Sequence, residues 1–111
     1  MQSNFRVLDA ARIVADTINL LIMRQRRRLI GPAQLQKSVN AIPANIREAY
    51  GRRHGPERNQ FLRVARGEAE ETDEHLRANF AARGITQVFF YRQHNRLKTI
   101  VRMLNRLMGE A

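Results

Sequence analysis

Apolar residues return every three or four positions along most of this chain, which is the spacing of amphipathic helices and not of strands. Val7, Ala11, Val14, Ile18 and Leu21 make the first stripe, widened by Leu8, Ala15 and Ile22, and predict a helix from about Val7 to Arg27. Arg24, Arg26, Arg27 and Arg28 close it, as cations should near the negative end of a helix dipole. Gly31 followed by Pro32 reads as a stop and a restart, with proline at the first position of the next helix. Leu35, Val39, Ile42, Ile46 and Ala49 then share one face of a second helix, from Pro32 to about Tyr50. After a loop from Gly51 to Pro56, Phe61, Ala65, Ala69, Thr72, Leu76 and Phe80 face inward on a third helix that runs to about Ala82. Arg83 and Gly84 end it. Thr86 can cap a fourth helix, whose stripe is Phe90, Leu97, Ile100, Leu104 and Leu107 to Met108. Four helices of roughly 17–26 residues joined by short links predict an all-α fold, an antiparallel up-down bundle about 30–40 Å long. The whole chain, 1–111, reads as one domain, with no repeat, linker or low-complexity tract.

Pro43 interrupts this regularity. It has no N–H for the carbonyl of Val39, and its ring crowds that carbonyl, at a cost of roughly 3 kcal/mol inside a helix. A kinked or interrupted second helix is expected. Ser38 and Asn45 lie on one side of the same helix, beside its apolar stripe. They are expected to satisfy groups freed at the proline or to bond a neighbouring helix, with a small-ligand site as the alternative.

The same stretch carries a resemblance. Ser38, then Ile42, Pro43, Ala44, Asn45 and Ile46, then Glu48, Gly51 and Arg52, followed by Phe61, Leu62, Ala65, Gly67 and Glu71, resembles a family of small bacterial four-helix bundle proteins. Its best-known members are encoded in intervening sequences of 23S ribosomal RNA genes; the accessory proteins of diversity-generating retroelements are more distantly similar. The likeness spans about Phe5 to Met108, with Arg47, Ala49 and Glu68 departing from the usual pattern. It implies a four-helix bundle with Ser38, Ile42, Pro43, Asn45 and Gly67 as structural motif residues. It also implies a homopentamer and a preference for RNA over DNA.

Charge adds a second theme. Lys and Arg number 20 against 10 Asp and Glu, for a net charge of +10, and 18 of the basic residues are arginine. The arginine fork matches phosphate oxygens, and such an excess is a footprint of nucleic-acid binding. A GC-rich genome or interface salt bridges would also enrich arginine. The candidate phosphate-contacting residues are Arg24, Arg26, Arg27, Arg28, Arg52 and Arg53, together with Arg92, Arg96, Lys98, Arg102 and Arg106 on the fourth helix. Lys98, Arg102 and Arg106 recur every four residues, Arg92 and Arg96 form a second row, and no carboxylate follows until Glu110. These rows contact phosphate, pair with a neighbouring subunit or face solvent.

Five of the ten acids fall between Glu68 and Glu74. Asp73 should reach Arg77, and Glu71 should reach His75, each one turn on. Glu70, Glu71 and Glu74 are candidates for a subunit interface, facing arginines of a neighbour. His54, His75 and His94 do not form the paired Glu-x-x-His motifs of a bundle metal site, so no metal and no other cofactor is expected. No catalytic arrangement of nucleophile, base and acid stands out. There is no cysteine. The apolar run from Ile13 to Met23 contains Asp16 and Asn19 and is too short for a membrane span, so a cytoplasmic protein without membrane contact is expected.

These features together predict a non-enzymatic bundle that assembles as a homo-oligomeric ring and binds nucleic acid through phosphates, with structured RNA as the partner the resemblance implies. The alternative is an accessory subunit that docks another protein, such as a reverse transcriptase, with no nucleic-acid role of its own.

Overall fold

The structure, a computed structural model, describes residues 2–52 and 55–110. It contains four α-helices, α1 (Gln2–Gln25), α2 (Pro32–Arg52), α3 (Pro56–Ala81) and α4 (Gln87–Leu107), and a single 3-10 turn at Arg26–Arg28. There is no strand among the described residues. The helices pack as an antiparallel bundle with extents of 42 × 23 × 19 Å, the length expected of α3 at about 1.5 Å per residue.

The four apolar stripes meet in one core. Val7, Ala11, Val14, Ile18 and Ile22 of α1 pack with Leu35, Val39, Ile42 and Ile46 of α2, Leu62 and Leu76 of α3, and Phe90, Leu97, Ile100 and Leu104 of α4. Contact between neighbouring helices is most extensive for α2 and α3 and thinnest for α1 and α4. Small residues explain the first: Ser38 and Ala49 on α2 and Ala65, Ala69 and Thr72 on α3 are all buried and let the backbones approach. Phe61 and Phe80, expected inside, only lean on the core from the side, and Leu62 takes the interior place beside Phe61.

The second helix is not interrupted: Pro32–Arg52 is one helix that carries Pro43 inside it, with the proline ring buried. Asn45 donates to the carbonyl of Ala41 (2.8 Å), not to that of Val39. Ser38 donates to the Leu35 carbonyl (3.1 Å). The Thr72 hydroxyl lies 2.9 Å from the Ser38 oxygen and 2.8 Å from the Glu68 carbonyl, so its single proton has two acceptors. Both polar residues beside the proline therefore serve helix bonding, and Ser38 also ties α2 to α3.

The first helix differs at its ends. It begins at Gln2 and stops at Gln25, short of the expected Arg27. The reason is Leu29, which is buried in the core. To bring that side chain inward the backbone turns through Arg26–Arg28 and becomes extended at Leu29. Gly31 then takes a left-handed φ of 57°, and its carbonyl accepts the first bond of α2 from Leu35 (3.0 Å).

Candidate nucleic-acid interface

At one end of the bundle α1 and α3 finish while α2 and α4 begin. The fold joins two distant segments here. Asn79 of α3, only 1% exposed, accepts from the Ile30 N–H (2.7 Å) and donates to the Ile30 carbonyl (3.1 Å). The Gln25 side chain donates to the Gly84 carbonyl (2.6 Å). A Cβ on Gly84 would lie 2.9 Å from the Arg28 carbonyl oxygen, so only glycine permits this approach. The α1–α2 and α3–α4 links are thus clasped side by side.

On the outside of the clasp stand Arg24, Arg26, Arg27, Arg28 and Arg83, all exposed. None has an ion-pair partner among the described residues. The chain has no acidic residue between Thr17 and Arg47, or between His75 and Gly109. Asp16 on α1 and Glu74 on α3 are the nearest acids along those helices, roughly 10–14 Å of helix away from this end. This exceeds the Debye length of about 8 Å at physiological salt. Arg24 to Arg28 are expected from the sequence, whereas Arg83 reads there only as a helix stop; the long acid-free segment around it is the sequence signal for its place here.

The opposite end is wired differently. Arg52 pairs with Glu57 and, at 3.6 Å, with Glu48, and its guanidinium also covers the Phe61 ring. Arg66 reaches Glu110 (2.7 Å) and Asn105 (2.8 Å). Arg58 donates to the Leu107 carbonyl (2.9 Å) at the end of α4. Arg53 and His54 lie outside the described residues.

The cations of α4 fall into separate places. Arg92 and Arg96 line a groove of about 450 Å³ between α1 and α4, with Thr17, Val88 and Phe89. Arg96 donates to Gln93 (3.2 Å). Lys98 and Arg102 line a groove of about 490 Å³ between α3 and α4 and look across it at Glu70 and Glu74 of the same chain. Arg102 donates to the Thr99 hydroxyl (3.2 Å), while Lys98, Glu70 and Glu74 form no ion pair among the described residues. Arg106 lies beside Arg6, Met103 and Leu107 near the opposite end. What looked like one stripe on a helical projection thus serves different surroundings.

The acidic run is partly engaged within the chain. Asp73 meets Arg77 (3.5 Å), as its spacing predicts, and accepts a shorter contact from His94 on α4 (2.8 Å). Glu71 meets His75 (3.5 Å). Burial pushes the Glu68 carboxyl up, helped by Glu71 and opposed by Lys37. Among the described residues no three His, Asp or Glu side chains converge as a metal site. No described helix is long and apolar enough to cross a membrane. Gly67 is exposed, and a Cβ there would meet nothing within 4 Å.

Fold and surface together define a basic antiparallel four-helix bundle that displays Arg24, Arg26, Arg27, Arg28 and Arg83 without ion partners among the described residues around the clasp at one end. A family model described as 23S rRNA-intervening sequence protein matches residues 4–106, and the chain belongs to that family. A crystal structure from Bacteroides thetaiotaomicron, described as a protein with unknown function from the S23 ribosomal protein family, is similar in fold. Its TM-score is 0.88 at 24% identity, covering 96% of this chain and 98% of that one. No curated protein matches the chain.

Proposed function

We propose that this chain is a non-catalytic, self-associating bundle that binds structured RNA through its phosphates. One observation carries the reading: Arg24, Arg26, Arg27 and Arg28 are exposed, without ion partners among the described residues, on an end of the bundle free of carboxylates. Guanidinium groups held in this way find their counter-charge outside the chain, and phosphate oxygens fit their fork. The preference for RNA over DNA rests on family membership. Self-association is supported by exposed apolar side chains at Ile13, Met23, Ile30 and Val88 and by the unpaired Glu70 and Glu74; a pentamer is what the family resemblance implies. Cytoplasmic action fits this partner.

A second reading keeps one specific support. The groove between α1 and α4 combines exposed Val88 with Arg92 and Arg96, a surface suited to an acidic protein segment. Fluorescence anisotropy with a 20-base-pair RNA duplex across a salt series separates the two. Each phosphate neutralised on a duplex contributes a log–log slope of about −0.9. Replacing Arg26, Arg27 and Arg28 with Gln should weaken binding for every sequence and flatten the slope. Replacing Arg52, Arg58 and Arg66 removes the same charge and should weaken it far less. Equal losses would mean that only net charge matters. Absence of binding at low salt would leave the protein-docking reading.

A further inference from the structure

Arg83 has a backbone that an arginine rarely adopts. Its φ is 64°, the one positive value among the described non-glycine residues. It sits just past α3 in a two-bond closure: Arg83 N–H donates to the Phe80 carbonyl (3.0 Å) and Gly84 N–H to that of Asn79 (2.7 Å). The residue at this position is left-handed, and glycine is the usual choice because a Cβ strains it. The end of α4 uses the same closure. There Gly109 N–H donates to the Arg106 carbonyl (3.0 Å) and Glu110 N–H to that of Asn105 (2.7 Å), and Gly109 holds the left-handed place with φ 76°. Glycine therefore suits this turn in this very chain, yet α3 carries arginine.

Nothing inside the fold uses that guanidinium. Arg83 is exposed and has no ion-pair or side-chain hydrogen-bond partner among the described residues. Residues kept in strained conformations gather at functional sites. The clasp of Asn79 to Ile30, Gln25 to Gly84 and Gly84 against Arg28 fixes this residue beside the 3-10 turn.

We propose that Arg83 and Arg26–Arg28 form one two-part phosphate site that grips the backbone of a double-stranded nucleic acid. The proposal rests on the nucleic-acid reading above and assigns its contact surface. A duplex fits better than an extended strand. Single strands are held by stacking bases on aromatic side chains, and Tyr91 is the one exposed aromatic among the described side chains. Its ring already meets Phe80 and Phe90 edge-on. Guanidinium groups carried on a clasped backbone suit the fixed phosphate ridges of a duplex, which presents one charge per roughly 1.7 Å of axis. Contacts of this kind position a duplex without reading its sequence.

The test uses the full chain, a 20-base-pair RNA duplex, the matching DNA duplex and a uridine 20-mer, read by anisotropy across a salt series. Arg83→Gly should resist urea better than the parent yet bind duplex about three- to tenfold more weakly, with a salt slope smaller by about 0.9. Arg83→Lys should bind nearly as the parent does. If Arg83→Gly binds as well as the parent while the Arg26, Arg27 and Arg28 triple variant does not, the function stands and Arg83 has no part in it. If Arg83→Gly is less stable, the strain argument fails. Tighter binding of the uridine 20-mer overturns the duplex assignment, and binding of no probe by the parent overturns both readings.

Discussion

Helices α3 and α4 finish with the same backbone closure at opposite ends of the bundle, and their surroundings differ in kind. At the end of α4 the left-handed residue is Gly109, and the next residue, Glu110, takes Arg66 at 2.7 Å. Arg58 caps the same helix through the Leu107 carbonyl, where a cation also favours the helix dipole. At the end of α3 the left-handed residue is Arg83, the next is Gly84 pressed against the Arg28 carbonyl, and no carboxylate is near. At the first of these ends Arg52, Arg58 and Arg66 are held within the chain, although Arg6 and Arg106 are not. The other end displays its arginines. A count of charges cannot tell these ends apart, because both are rich in arginine; what differs is which arginines have acids within reach.

The largest expected effect comes from breaking the clasp at the displayed end. Asn79→Ala leaves the Ile30 N–H and carbonyl without their buried partner, at about 1–3 kcal/mol, readable from urea unfolding. Binding should weaken as well, because Arg26–Arg28 would no longer be held against Arg83. Unchanged stability would mean that water replaces the Asn79 amide.

The comparison sharpens when the two left-handed positions are altered in opposite senses. Gly109→Ala should cost about 1 kcal/mol and Arg83→Gly should gain a similar amount. Equal signs in denaturant titrations would show that the two turns differ in more than side-chain strain.

Gly67→Ala lies away from both ends and should stabilise the chain by about 0.5–1 kcal/mol, since mid-helix glycine is costly and the site is open. If the parent self-associates in light scattering and the variant does not, another copy approaches this glycine closely.

The smallest effect involves Glu68. Its carboxyl is raised in the fold by burial and by Glu71, so the folded state binds that proton more tightly than the unfolded one. This lowers stability as pH rises through the folded value. Glu68→Gln should be slightly more stable than the parent at neutral pH, and the gap should close as pH falls through the ordinary carboxylate range. A gap that widens on acidification would reverse the sign of the shift.

Much of the fold was legible in the sequence because helix periodicity and turn chemistry are local. The stripe positions Val14, Ile18, Val39, Ile42, Leu97 and Ile100 are all buried as their spacing predicts. Pro32 opens α2, and Thr86 caps α4 by accepting from Phe89 N–H at 3.1 Å. The early end of α1 was not legible. The run of arginines continues the helical pattern, and only the burial of Leu29 against other helices forces the break. The three-and-four spacing of the α3 stripe places Phe61 and Phe80 inside, whereas in the fold Leu62 takes the interior place and the two rings lean on the core from the side.

The sequence by itself determined the helices, their inward faces, the absence of thiol chemistry and the excess of arginine, because each follows from neighbours within a turn or from simple counting. Only the tertiary structure decided what each charge does. Lys98 and Arg102 share a groove with Glu70 and Glu74 of their own chain, Arg52 is held by Glu48 and Glu57, and Arg83 joins Arg26–Arg28 across more than fifty residues of chain. Electrostatic partnership depends on distances of a few ångströms between side chains, and packing sets those distances between helices that are remote in sequence.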